Sequence, residues 1–212
     1  MKKTWIYLSG FAVMAIAWTI LTFESCKKPE TIVTPAPPTN EFLTTVIFRC
    51  INTAAPFDTT TSIWRELNPS GSLPPDTSKA VLNYKKNSQY VCNIYILDES
   101  KTATDSLVST NFNINKLPST TVNVTTEIRS RQNYHLVCFN ATGGIATNWS
   151  IVRTDYDTNT PPLQVGLNDN VTTLAVSAGR LEAALHHQPN VKNGTCGPGT
   201  DDFDVFYTVN IQ

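Results

Sequence analysis

The stretch Phe203-Asp204-Val205-Phe206-Tyr207-Thr208-Val209-Asn210-Ile211 decides the fold. Phe203, Val205, Tyr207, Val209 and Ile211 occupy every second position, with Asp204, Phe206, Thr208 and Asn210 between them. Successive side chains of a strand point to opposite faces, so this spacing predicts a strand with one apolar face. Burying that face ties the segment into a core and fixes its register, because a slip of one residue would turn every apolar side chain outward.

Working outward, the same period recurs. In Thr45–Ile51 the residues Val46, Phe48 and Cys50 share one face and Ile47, Arg49 and Ile51 the other; in Tyr90–Leu97 the inward set is Tyr90, Cys92, Ile94 and Ile96. Val122 and Val124, Leu136 and Cys138, and Trp149, Ile151 and Arg153 continue the alternation. Gly179–His187 contains good helix formers, but Leu181, Ala183 and Leu185 alternate, and it reads as a strand. Lys101–Thr110 is the other stretch with some helical character, and no long segment carries the i, i+3, i+4, i+7 pattern of an amphipathic helix. Turn residues punctuate the runs at Asn68-Pro69-Ser70-Gly71, Pro74-Pro75-Asp76, Asn87-Ser88, Gly143-Gly144, Pro161-Pro162 and Gly197-Pro198-Gly199. Short strands at this spacing predict an all-β domain over residues 41–212, an antiparallel β-sandwich of about seven to nine strands with immunoglobulin-like or related topology.

Composition agrees. The 212 residues include 30 Thr, 19 Asn and 14 Ser, types at home on strands and in turns. Lys+Arg number 16 against Asp+Glu 17, with no basic cluster of the kind that binds nucleic acid by counterion release.

Ahead of the domain, Lys2 and Lys3 precede an apolar run from Trp5 to Phe23, the make-up of a secretory signal over residues 1–25. Lys27–Asn40 reads KKPETIVTPAPPTN, too polar and Pro-rich to fold, so residues 26–40 form a stiff tether. The run Phe23-Glu24-Ser25-Cys26-Lys27-Lys28 resembles the lipoprotein signals of Bacteroidota, in which Ser-Cys-Lys-Lys recurs. The resemblance implies cleavage before Cys26 by signal peptidase II, acylation of Cys26, and anchoring in the outer membrane. Phe23 and Glu24 depart from the commoner processing signal. Within the domain, Glu41–Val46, Ile94–Ser100, Leu185–Asn190 and Phe206–Gln212 are similar to a group of small Bacteroidota lipoproteins of unknown function. Members of that group carry an aspartate-rich loop suited to calcium where this chain has Trp64-Arg65-Glu66-Leu67-Asn68-Pro69-Ser70-Gly71, without the aspartates.

With Cys26 set aside for lipidation, Cys50, Cys92, Cys138 and Cys196 remain, an even set that in an exported chain reads as disulfides with three possible connectivities. Zinc ligation and buried free thiols are the competing uses, though no two of these cysteines have the close spacing of zinc ligands. His135, His186 and His187 are the only histidines. As neighbours on a strand, His186 and His187 point apart and cannot chelate one ion. Asp201, Asp202 and Asp204 with Asp155 and Asp157 are oxygen donors suited to calcium, or simply polar loop residues. Trp64, Trp149, Tyr134, Tyr156 and Tyr207 are candidates for a sugar-stacking platform, with core packing the alternative for the tryptophans. No G-x-S-x-G, H-E-x-x-H, phosphate-binding or dinucleotide motif occurs. The sequence therefore predicts a membrane-anchored module with no catalytic residues, metal or cofactor, which binds a glycan or envelope-protein partner. A hydrolase with a His/carboxylate site and a structural envelope protein are the alternatives.

Overall fold

A computed structural model describes residues 43–55, 58–67, 74–100, 113–117 and 119–212. Cys26 with the expected signal and tether, the expected turn at Asn68–Gly71 and the segment Lys101–Thr110 lie outside the described residues.

Two sheets face each other, as the alternation requires. The first has the order β2-β1-β4-β8-β7, formed by β1 (Thr45–Asn52), β2 (Thr59–Arg65), β4 (Ser88–Asp98), β7 (Trp149–Arg153) and β8 (Asn168–Thr173). The second has the order β3-β10-β9-β6, formed by β3 (Val81–Tyr84), β6 (His135–Gly143), β9 (Ser177–His187) and β10 (Thr200–Ile211). A two-residue β5 (Val122–Asn123) adds to the edge of β4 beyond the end of β8. The domain is an all-β sandwich. Apart from β5 it has nine strands among the described residues, and every pairing is antiparallel except β3 with β10. That parallel pair departs from the purely antiparallel expectation. It needs no short crossover, because β3 turns at once into β4 of the other sheet and β10 arrives from far along the chain.

The predicted inner faces are the observed ones. Val46, Phe48 and Cys50 of β1, Tyr90, Cys92, Ile94 and Ile96 of β4, and Phe203, Val205, Tyr207, Val209 and Ile211 of β10 all belong to one core cluster. β10 lies inside its sheet between β3 and β9. Gly179–His187 is strand, as its alternation indicated. Gly179 is required there: an added Cβ would collide with the Thr142 carbonyl and Ile145, where a short 3-10 turn closes on β9.

Two readings are corrected. Val124 does not continue a strand; it opens helix α1 (Val124–Ser130), the one α-helix among the described residues. Val124 and Ile128, four apart, lie on one helical face in the main core. Thr125 Oγ1 accepts from the Ile96 amide at 2.7 Å and donates to the Ile96 carbonyl at 3.2 Å, so the helix satisfies the stretch of β4 edge between β8 and β5. Leu136 and Cys138 also lie on the outer rather than the core face of β6, because Val137, Phe139 and Ala141 are the residues that pack inward. Both faces of β6 are covered at its start, so four consecutive residues from His135 to Cys138 are buried and the period is hidden.

The cysteines realise one of the three connectivities. Cys50 and Cys92, directly opposed on β1 and β4, are bonded, as are Cys138 on β6 and Cys196 in the β9–β10 loop. Neither the free-thiol nor the zinc use of these residues survives this arrangement.

Candidate functional site

The β6–β9–β10 end of the second sheet gathers most of the polar residues singled out in the sequence. β6 starts at His135 and β9 ends at His187, and these two residues are register partners. β10 enters opposite His187 at Thr200, and its pairing slips between Asp201 and Phe203. The slip is a β-bulge that leaves Asp202 without a ladder partner and turns its side chain toward the histidines. Gly199, with φ of 94°, makes the entry possible, because a Cβ there would meet the His187 carbonyl.

Strand alternation separates the paired histidines as expected. His186 lies on the outer face, with Nδ1 3.0 Å from Asp201 Oδ1. His187 turns inward and stacks on His135, with ring centroids 4.9 Å apart and planes at 13°. Asp202 faces both rings, Oδ2 3.4 Å from His135 Nε2 and Oδ1 3.9 Å from His187 Nδ1. Burial holds the His187 pKa below the ordinary histidine range, with Asp202 opposing that shift and His135 adding to it. The trio is the one group of three or more His, Cys, Asp or Glu residues among the described residues with donor atoms close enough to share an ion.

The acidic cluster considered for calcium is not assembled. Asp155 accepts from the backbone amides of Gly166, Leu167 and Asn168. Asp157 pairs with Lys192 at 2.9 Å, Asp201 with His186, and Asp202 with the buried histidines. Burial pushes the Asp204 carboxyl upward, reinforced by Glu182 and Asp201.

Outside the histidines a groove of about 390 Å³ opens, lined by Asn133, Tyr134, Asn159, Thr160, Pro161, Leu163, Asn190 and Lys192. Its walls come from three segments cross-linked by polar groups. Asn133 Oδ1 accepts from both the amide and the hydroxyl of Thr158. Lys192, whose ammonium also donates to the Gln132 carbonyl, forms with Asp157 a buried ion pair at the groove floor. Burial alone would raise the Asp157 carboxyl. The amides of Leu163 and Asn159 and the Lys192 ammonium outweigh that and hold it below the usual range. Gln188 braces the loop beyond β9, its amide donating to the Tyr134 carbonyl and its side chain to the carbonyls of Thr195 and Pro198.

The five-residue aromatic platform is likewise not formed. Trp149 and Tyr207 are core residues and Trp64 packs against the core, which leaves Tyr134 on the groove and Tyr156 as exposed rings. Asn133, Asn159 and Asn190 were not singled out by the sequence, where 19 asparagines made any three anonymous. Searches against known protein families, curated proteins and solved structures find no match.

Proposed function

We propose that this chain is an exported lipoprotein, anchored in the outer membrane through Cys26, whose β-sandwich is a non-catalytic glycan-binding module. The groove carries the reading. A sugar offers an apolar ring face and a fringe of hydroxyls, and Tyr134 beside the amides of Asn133, Asn159 and Asn190 presents the complementary set. The groove is preorganised by the Asp157–Lys192 pair and by the Cys138–Cys196 bond, which ties the β9–β10 loop to β6. Two disulfides suit an oxidising compartment and so support export.

Glycan-array binding of the full chain, followed by titration of the best hit, tests the site. Tyr134→Ala is expected to weaken binding about tenfold, equivalent to about 1.4 kcal/mol, with the melting temperature unchanged. An array with no hit, or a hit indifferent to Tyr134→Ala, removes the glycan reading. The anchor is tested separately by fractionating cells that express Cys26→Ala, which should lose membrane retention.

A further inference from the structure

His135, His187 and Asp202 meet in a way that hydrogen bonding within the protein does not satisfy. His135 Nδ1 lies 3.0 Å from the Arg131 carbonyl. A carbonyl only accepts, so this nitrogen carries the hydrogen, and in the neutral ring Nε2 is then a bare lone pair. That lone pair stands 3.4 Å from Asp202 Oδ2, acceptor against acceptor. A second proton on His135 would relieve this contact but would leave His187 as it is. His187 Nδ1 is 3.9 Å from Asp202, beyond a hydrogen bond, and His187 Nε2 is buried with no partner at all. Bulk water has little access to the group, since the side chains of His135, Asp202 and His187 are 2%, 5% and 10% exposed. A buried imidazole nitrogen with no partner is a costly arrangement to retain.

We propose that His135, His187 and Asp202 are the protein ligands of a single divalent transition-metal ion of the zinc class. One dication satisfies the carboxylate and both imidazoles at once. The donor set selects the ion: two imidazoles and one carboxylate suit zinc, whereas calcium takes six to eight oxygens. Bonds of about 2.0–2.2 Å at tetrahedral angles separate neighbouring donors by about 3.4 Å. The His135–Asp202 pair already has that spacing, and all three donors lie within 4.8 Å of one another. The near-parallel rings require His187 to turn about its Cβ–Cγ bond so that a nitrogen meets the ion in the plane of the His135 ring. β-ladder pairing sets the backbone of the two histidines and the bulge sets that of Asp202. The Arg131 carbonyl on His135 Nδ1 is the outer contact that orients a ligating imidazole and fixes its tautomer. Three protein donors leave one tetrahedral position for water or an exogenous ligand.

The test uses the untagged full chain, stripped with chelator and titrated with zinc chloride by calorimetry, and with cobalt chloride by visible absorption. One ion per chain, a raised melting temperature and a tetrahedral cobalt spectrum are expected. His187→Gln and Asp202→Asn should each lower zinc affinity at least tenfold, whereas His186→Ala, altering the surface histidine one residue away, should leave it unchanged. Nitrogen NMR of the wild type needs no variant to fold: zinc should shift resonances of His135 and His187 and spare those of His186. Absence of stoichiometric binding, affinity unmoved by Asp202→Asn in a folded variant, or zinc shifts centred on His186 would each overturn the assignment.

Discussion

Glu99, at the outer face of the first sheet, and Asp169, on its inner face, are equally withdrawn from water at 2% and 0% exposure, yet their surroundings are opposite. Glu99 Oε2 accepts from Arg65 Nε at 2.9 Å and from the Thr45 hydroxyl, and the Glu99 amide donates to the Thr44 hydroxyl. Beside this group Ile47, Ile63 and Leu97 form a second small core, with Tyr95, Ile114 and Leu117 packed against it. Asp169 sits opposite Cys92 on β4 and Arg153 on β7, and neither of its oxygens has a hydrogen-bond partner. Equal burial therefore produces two different groups. One is an ion held by its partners, and the other is a carboxyl for which neutrality is the cheaper state.

The largest effect is expected from removing one partner of the satisfied group. Glu99→Ala removes the carboxylate that the buried Arg65 guanidinium meets at 2.9 Å, and the expected loss is about 3–5 kcal/mol in urea unfolding. The double variant Arg65→Met, Glu99→Leu takes out both charges and should recover most of that loss, since well-packed apolar replacements of a buried pair are often neutral or better. If the double variant is as unstable as Glu99→Ala, the pair contributes something other than charge compensation.

A smaller effect is expected from the disulfides, one of which constrains the core and the other a surface loop. Cys50–Cys92 closes 42 residues across adjacent strands in the core beside Asp169, while Cys138–Cys196 closes 58 and secures a surface loop. Each should contribute about 2–4 kcal/mol by restricting the unfolded chain. Replacing Cys138 and Cys196 by Ser should also impair the groove, whereas Cys50→Ala with Cys92→Ala should cost stability alone. Chemical unfolding alongside ligand titration separates the two outcomes.

How much of this was legible follows the same division. Strands whose apolar residues alternate announced themselves in β4, β9 and β10, and β1 was readable through Val46, Phe48 and Cys50 although its start is buried on both faces. Where a strand is buried on both faces, as at His135–Cys138, the period vanishes and the inward set was misplaced. Helix α1 was missed because seven residues rich in β-branched side chains give too short a window for a 3.6 period, although Val124 and Ile128 carried the signal. The buried site was illegible for a different reason. His135, His187 and Asp202 are far apart in the chain, and a one-residue bulge, invisible in composition, decides that Asp202 and not Asp201 faces inward. Nothing local in the sequence pairs Arg65 with Glu99, which lie 34 residues apart and meet only because β2 and β4 flank β1.

The gentlest probe changes only pH. Burial raises the Asp169 pKa from 3.8 to about 8, with Asp155 reinforcing the shift and Arg153 opposing it. Between those two values the folded protein keeps a proton that the unfolded chain releases, so unfolding is favoured as protons become scarce. The contribution of Asp169 is therefore full at the acid end, falls as pH rises, and levels off above about 8. The slope is at most about 1.4 kcal/mol per pH unit, the value for one proton. His187, with its pKa lowered, contributes the opposite slope near its own range, so wild-type stability alone mixes the two. Asp169→Asn isolates the carboxyl. Whatever its effect on absolute stability, the wild-type minus variant difference in unfolding free energy should decline steadily from pH 5 to pH 8. A difference that stays flat over that interval would mean Asp169 is ionised in the folded protein, and the contrast with Glu99 would then lie in geometry and not in charge.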